Sequence, residues 1–417
     1  MTRVTLCAYD DPSMSSGPAS WAQRIPERLK RSGIDVEFRL FHWKEKKDGT
    51  LYRHLTSEGL RIQCIPFLDA ASNQHALLES FCKSPPEVVV ADNVIPAHHA
   101  ARYLRSHWTR VILTLRSDDN FYEAVIDLFV NGSAESRVDS VVAVSQFLGN
   151  RCIAGGFPAE QVSVIPSGAI PGDLSRRKQR AIDQKFRVTY VGRLAEEQKR
   201  ILATTECMIS LCRRDSRFVG TIVGDGPNRQ QVEQMVAKAD VPIEVVGAMS
   251  SDSVQKILLN SDRSLLLSDY EGLPTAVVEA MGCGVVPVCL KIRSGIGELI
   301  EDGVNGFLTA DRAEGVFRAA RMLADDPQRA AGMGRLGYER IVKDFQSDVC
   351  AARWVELLER EAGKSRPVAF EVPKQLQLPA HEPRFGNEDV RRAVSVESGL
   401  QRWRRAYLEM RRRLRGN

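Results

Sequence analysis

Two glutamates eight positions apart, Glu271 and Glu279, stand in an otherwise apolar run, SDYEGLPTAVVEAMGCGVVPV at 268–288. Carboxylates accept hydrogen bonds from hydroxyl groups, so the chemistry open to this pair depends on the geometry between them. Ser264–Leu267 has the character of a strand, and Tyr270–Leu273, with Gly272, that of a turn. Pro274 suits the first position of a helix, where its missing N–H would be unpaired anyway. Thr275 and Ala276 then present free backbone amides at a helix N-terminus, a ready place for an anion. Glu271 sits at the mouth of that helix and Glu279 inside it, about 7.5 Å beyond Pro274 at 1.5 Å per residue. That separation suits a ligand with hydroxyls on both sides of a diphosphate, which is the shape of a nucleotide sugar. The plainer alternative makes Glu271 a favourable charge near a helix start and Glu279 a surface acid. Its flanking residues Val277, Val278, Ala280 and Met281 are a poor setting for a surface group.

A second constellation follows the strand-like RVTYV. In GRLAEEQKR, Gly192 ends the strand, Arg193 comes next and Lys199 stands six residues on. A glycine at the carboxyl end of a strand lets a ligand approach the backbone closely, where doubly wound sheets bind ligands. An arginine and a lysine just beyond it can clamp two phosphates; alone, they are equally two solvated cations beside a turn. VGDGP at 223–227 is another strand-to-turn signal and by itself marks only a tight loop.

These groups must be positioned by an alternation of short apolar strands and amphipathic helices. Strands are expected at Val4–Ala8, Val36–Phe41, Val88–Ala91, Val111–Leu115, Val141–Val144, Val162–Pro166, Arg187–Val191, Phe218–Val223, Ile243–Val246, Ser264–Leu267 and Val285–Leu290. Segments such as Ser20–Arg31 and Asn228–Ala239 have helical spacing. The pattern predicts parallel sheets buried on both faces, and it occurs twice. A polar stretch, DLSRRKQRAIDQK at 173–185, separates the halves, and after Gly363 prolines favour an extended run over a surface.

At 417 residues the chain is too long for one compact core, and 43% apolar with 27% charged residues is ordinary for a globular protein. No apolar run approaches the roughly 20 residues of a membrane helix, and Asp10 and Asp11 interrupt any signal-peptide core. Nine cysteines without zinc or disulfide spacing are expected to be reduced and buried, as in a cytoplasmic protein. The neighbours His98 and His99 point about 100° apart on a helix, which favours a structural role over a metal site. The net charge of +5 resides in the tail: residues 399–417 contribute +6, so the remainder sums to −1. A neutral body argues against nucleic acid as a partner.

Taken together, the motifs resemble the GT-B-fold glycosyltransferases of family 4, retaining enzymes that use nucleotide-activated sugars. The resemblance spans roughly residues 3–360 and is carried by E-GLPTAVV-E with AMGCGVVPV after it, by GRLAEEQK, and by VGDGP, IPSGAI and DGVNGFL in the same order. It implies an α/β architecture of two doubly wound, Rossmann-like domains facing across a cleft. The first would be residues 1–172, on the acceptor side, joined by the linker 173–185 to a nucleotide-sugar domain at 186–362 whose last helix can return to the first. Residues 363–417 would form an extended segment and a basic amphipathic helix. In the same reading, Arg193 and Lys199 hold the diphosphate with the amides of Thr275 and Ala276. Glu271 binds donor-sugar hydroxyls with the Leu273 amide, Gly272 and Pro274 shape that turn, and Glu279 takes the ribose hydroxyls. Ala248 and Met249 contact the base edge, and Gly17 in SMSSGPASW packs against the diphosphate from across the cleft. With those cations, no metal or other cofactor is required, and no DxD occurs in a suitable loop.

One position departs from the family. Where many members carry a histidine after a first-domain strand, LTLRSDDNFY has Arg116, with Asp118 and Asp119 behind it. Arg116 could reach the donor sugar or a phosphate and an aspartate could orient the acceptor hydroxyl; a loop salt bridge is the alternative. The expected reaction is sugar transfer to a hydroxyl acceptor, a glycan or lipid-linked glycan, with retention. The alternatives are a sugar-nucleotide hydrolase or epimerase, or a non-catalytic sugar-nucleotide-binding subunit. The tail stripe Leu400, Trp403, Tyr407, Met410 and Leu414 among arginines suits docking on protein, self-association or peripheral contact with the inner face of a membrane.

Overall fold

The computed structural model describes residues 1–10, 17–42, 49–177 and 185–389. They build two all-parallel sheets. The first contains β1 (Arg3–Tyr9), β2 (Asp35–His42), β3 (Arg61–Pro66), β4 (Val88–Ala91), β5 (Arg110–Leu115), β6 (Ser140–Ala143) and β7 (Val162–Val164), in the order β3-β2-β1-β4-β5-β6-β7. The second contains β8 (Phe186–Val191), β9 (Phe218–Val223), β10 (Ile243–Gly247), β11 (Arg263–Leu266), β12 (Val286–Leu290) and β13 (Phe307–Thr309), in the order β10-β9-β8-β11-β12-β13. Central strands such as VVVA in β4 and VPVCL in β12 are buried along their whole length, because helices cover both faces of each sheet. Two strands escaped the sequence reading, β3 and β13. Both lie at sheet edges, and β3 (RIQCIP) is largely exposed, so it lacks the continuous apolar run that marks a central strand.

Each sheet reverses its winding beside its first strand, between β1 and β4 and between β8 and β11. At such a switch point the flanking connections depart to opposite faces and leave a crevice beyond the carboxyl ends of the strands. The two crevices are the natural walls of a cleft between the domains.

The chain passes between the domains twice, and the passages touch. Ala169 bridges Gln346, with Ala169 N donating to Phe345 O at 3.0 Å and Ser347 N to Ala169 O at 2.8 Å. Helix Ser347–Gly363 then packs on the first domain's opening helix, Gly17–Arg31, where the Trp21 and Trp354 rings lie 5.2 Å apart. Beyond it an extended strap runs over the first domain. Phe370 N donates to Cys82 O at 2.9 Å, Gln377 N to the Tyr103 hydroxyl at 2.8 Å, and Phe385 packs on Phe121 and Phe129. One apolar cluster continues from first-domain residues such as Val89, Leu113 and Leu148 to Leu273, Val277 and Ile296 of the second domain.

All nine cysteines are free thiols, seven of them buried. No helix among the described residues is long and apolar enough to cross a membrane. The basic stripe at 399–417, most of the linker at 178–184 and the segment before Gly17 lie outside the described residues.

Candidate functional site

The second-domain motifs fall in one row along the carboxyl ends of its strands. Ala248 and Met249 follow β10, VGDGP follows β9, Gly192–Arg193 follows β8 and Asp269–Gly272 follows β11. The last two therefore flank the switch point. VGDGP buttresses its neighbour: Leu194 N donates to Asp225 O at 2.9 Å, and a Cβ on Gly224 (φ +144°) would lie 1.9 Å from the Gly192 carbonyl oxygen. Only a residue without a side chain lets these two turns run that close.

Direct bonds hold the loops on either side of the switch point together. Asp269 N donates to Gln198 O and Gln198 Nε2 to Tyr270 O, both at 3.0 Å, while Asp269 pairs with Arg200 at 2.6 Å and with Arg312. This lacing brings Lys199 Nζ to 2.5 Å from Glu271 Oε1. Glu271 is 5% exposed, so its charge is compensated where water cannot reach it freely. Arg193 makes no ion pair or side-chain hydrogen bond among the described residues and stands exposed. Its carbonyl instead takes the Tyr190 hydroxyl at 2.9 Å, and burial raises that phenol far above its ordinary pKa, so it remains a donor. Burial, aided by Glu197, likewise pushes the Tyr270 phenol up to about 12.

The helix beyond Glu271 is Thr275–Met281. Pro274 is its N-cap, at φ −72° and ψ 107°, and not its first helical residue as the sequence suggested. Its carbonyl accepts from Val277 and Val278, so the helix begins one residue later than expected. The amides of Leu273, Thr275 and Ala276 find no acceptor among the described residues. A Cβ on Gly272 would sit 2.1 Å from the Arg116 carbonyl oxygen, which makes this glycine the point where the acidic loop meets the first domain.

Glu279 lies on the same helix, one turn deeper. Its carboxylate is bound by Arg24 of the opening helix, Nη2 to Oε1 at 2.5 Å, across the domain boundary. It is therefore neither a solvated surface acid nor an unpaired one.

The first domain's edge is organised differently. Arg116 is buried and donates through Nε to Asp92 Oδ1 at 2.6 Å and through Nη1 to Ser167 Oγ at 3.2 Å, with its guanidinium 4.6 Å from the Trp21 ring centre. Nη2 has no partner. Asp118 is paired with Arg151, and Asp119 caps helix Asn120–Val125 by accepting from Tyr122 N at 3.0 Å. The salt bridge offered as the alternative for this loop is thus present, made with Asp92 and Arg151 and not within RSDD. Gly17 is the first residue of the opening helix. His98 and His99 serve packing: His98 Nδ1 donates to Val94 O at 2.9 Å, both rings lie on Phe129, and burial lowers the His98 pKa to about 3. Among the described residues no group of three or more His, Cys, Asp or Glu is arranged to hold a metal.

This arrangement of two parallel doubly wound sheets recurs in solved structures. The Anabaena protein Alr3699/HepE in complex with UDP-glucose superposes with a TM-score of 0.68 at 17% identity, covering 85% of this chain and 99% of that one. The pneumococcal O-GlcNAc transferase GtfA, in complex with UDP and GlcNAc, gives 0.69 at 12% identity, with 86% and 99% covered. The fold is GT-B. Within this GT-B chain, residues 173–340 match the family described as glycosyl transferases group 1, and that segment holds the whole second-domain motif row. Among curated relatives, the amylovoran biosynthesis glycosyltransferase AmsK of Erwinia amylovora is 28% identical over 231 residues, 53% of this chain and 56% of AmsK. The colanic acid biosynthesis protein WcaL of Escherichia coli K12, a putative glycosyltransferase by its description, is 27% identical over 233 residues, 54% and 57% of the two chains. The similarity thus spans little more than half the length of these relatives.

Arg24 and Asp92 escaped the sequence reading. An acid directly after the buried strand VVVA was a usable signal for Asp92. Arg24 offered none, being one cation on an amphipathic helix.

Proposed function

We propose that the chain transfers a sugar from a nucleoside-diphosphate donor to a hydroxyl acceptor, with retention of anomeric configuration. The observation that carries this reading is that the loops bearing Arg193 and Lys199 and the loop leading to the Thr275 and Ala276 amides follow the two strands that flank one switch point. Breaking the bond between the anomeric carbon and the diphosphate moves its electron pair onto the leaving oxygen. Fixed cations and amides aimed at that oxygen lower the barrier, often by several kcal/mol. The acceptor oxygen forms the new bond to the same carbon and loses its proton. In this reading Glu271, held by Lys199, accepts from donor-sugar hydroxyls, and the Leu273 amide donates to one. Ala248 and Met249, at the far end of the row, suit the base. Because protein cations neutralise the leaving group, turnover is expected to proceed without a divalent metal. A glycan or lipid-linked glycan is the proposed acceptor class, in keeping with the polysaccharide enzymes the chain is similar to, and the proposed location is the cytoplasmic side of a membrane.

A second reading, a non-catalytic sugar-nucleotide-binding subunit, is favoured by Arg116, whose guanidinium is bonded to Asp92 and buried. The deciding experiment incubates the full chain with a panel of nucleotide sugars and glycan acceptors, with and without EDTA. Nucleoside diphosphate release, with an unchanged rate in EDTA and an anomeric proton coupling in the product that matches the donor, is the expected result. Donor binding without release across the panel would favour the subunit.

A further inference from the structure

Glu279 is placed by a residue of the other domain. We propose that Arg24 is the positioning residue of the nucleotide-ribose subsite, holding Glu279 by one carboxylate oxygen so that the other accepts from the ribose diol. The inference rests on the nucleotide-sugar reading above.

The contact is one-sided: Arg24 Nη2 meets Oε1 at 2.5 Å. A carboxylate has two oxygens and about four lone-pair sites, so Oε2 keeps its accepting capacity. The glutamate side chain is 21% exposed and the arginine 9%, so the acid keeps access to solvent while the cation is buried. Arg24 is itself fixed. Its Nη1 donates to Gly168 O at 3.2 Å, on the chain passage between the domains. Its own carbonyl accepts from Arg28 Nη1 at 2.8 Å, and Arg28 pairs with Asp348 at 2.6 Å. No other ion pair or side-chain hydrogen bond reaches Glu279 among the described residues. Its sequence neighbours Val277, Val278, Ala280 and Met281 are apolar, and among the described residues no second-domain side chain bonds its carboxylate. The subsite is therefore completed only when the two domains meet. A carboxylate oriented beforehand loses less rotamer freedom on binding than a free one.

The test uses the full-length chain and whichever of UDP, GDP, ADP or CDP raises its melting temperature most. Dissociation constants are measured for that nucleotide and for its 2′,3′-dideoxy analogue, in wild type, Arg24→Ala, Arg24→Lys and Arg24→Gln. Arg24→Ala is expected to weaken the ribonucleotide about tenfold, in the range of a lost charge-assisted hydrogen bond, and to change the dideoxy analogue less than about twofold. Arg24→Lys should recover part of the loss. In turnover, donor KM should rise while kcat stays within about threefold. If Arg24→Ala does not fold, Arg24→Gln, which keeps a donor for Gly168 without the charge, carries the same expectation. Equal weakening of both nucleotides would make Arg24 a domain-joining residue only, and unchanged or tighter ribonucleotide binding would make the ion pair idle or a competitor; each overturns the proposal. A wild type that does not distinguish the two nucleotides would instead remove the ribose assignment of Glu279 itself.

Discussion

The two edges of the cleft stand on the same strand order but commit their charges differently. At the second domain's edge, Arg193 is exposed, and among the described residues it has no side-chain partner and the amides of Leu273, Thr275 and Ala276 have no acceptor. At the first domain's edge, Arg116 is bonded to Asp92, Asp118 to Arg151, and Asp119 to a helix start. A diphosphate presents the same charge whatever sugar it carries, so open donors on rigid turns suit it. The opposing edge, its charges already paired, has little free charge with which to attract a partner and suits a ligand selected by shape.

This contrast can be broken most sharply at Lys199. Lys199→Ala is expected to lower kcat about 10²–10³-fold with a smaller change in donor KM, checked by steady-state kinetics on protein whose fold is verified by circular dichroism. An effect on KM alone would move Lys199 from the leaving group to ground-state binding. Next comes the contact between the edges. Gly272→Ala places a Cβ 2.1 Å from the Arg116 carbonyl, backbone against backbone, so the domains must part by an ångström or more. A misplacement of that size costs about 100-fold in rate, and the expected loss in kcat should exceed the loss in nucleotide affinity, as read by calorimetry. The smallest effect belongs to Asp119. Asp119→Ala removes a helix cap and should lower stability by about 1 kcal/mol in urea unfolding while kcat/KM changes less than about threefold. A loss of 100-fold there would make Asp119 an acceptor-binding group and erase the contrast.

The same contrast decided what was legible in the sequence. The second domain's edge depends on backbone geometry, and backbone geometry leaves residues that show: Gly192 at a strand end, Gly272 and Pro274 around a turn, Glu271 and Glu279 at a fixed interval. The doubly wound sheets were legible for the same reason, since buried parallel strands must be continuously apolar; the exposed edge strands Arg61–Pro66 and Phe307–Thr309 were not. The first domain's edge depends on pairings between distant residues. Arg24 and Glu279 are 255 positions apart and Arg116 and Asp92 are 24 apart, and neither spacing leaves a periodic trace. The helix start at Thr275 in place of Pro274 was missed by one position because proline suits both the cap and the first helical turn.

The side-by-side passage of the chain at Ala169 and Gln346 has a mechanical consequence. With both connections crossing at one spot, a swing of either lobe would twist two adjacent extended segments and stretch neither, which makes that spot the mechanically natural pivot. Displacement then grows with distance from it, and groups at the outer lip of the gap travel furthest for a given angle. Arg24, bonded to Gly168 beside that spot, would move less than groups at the lip for the same angle.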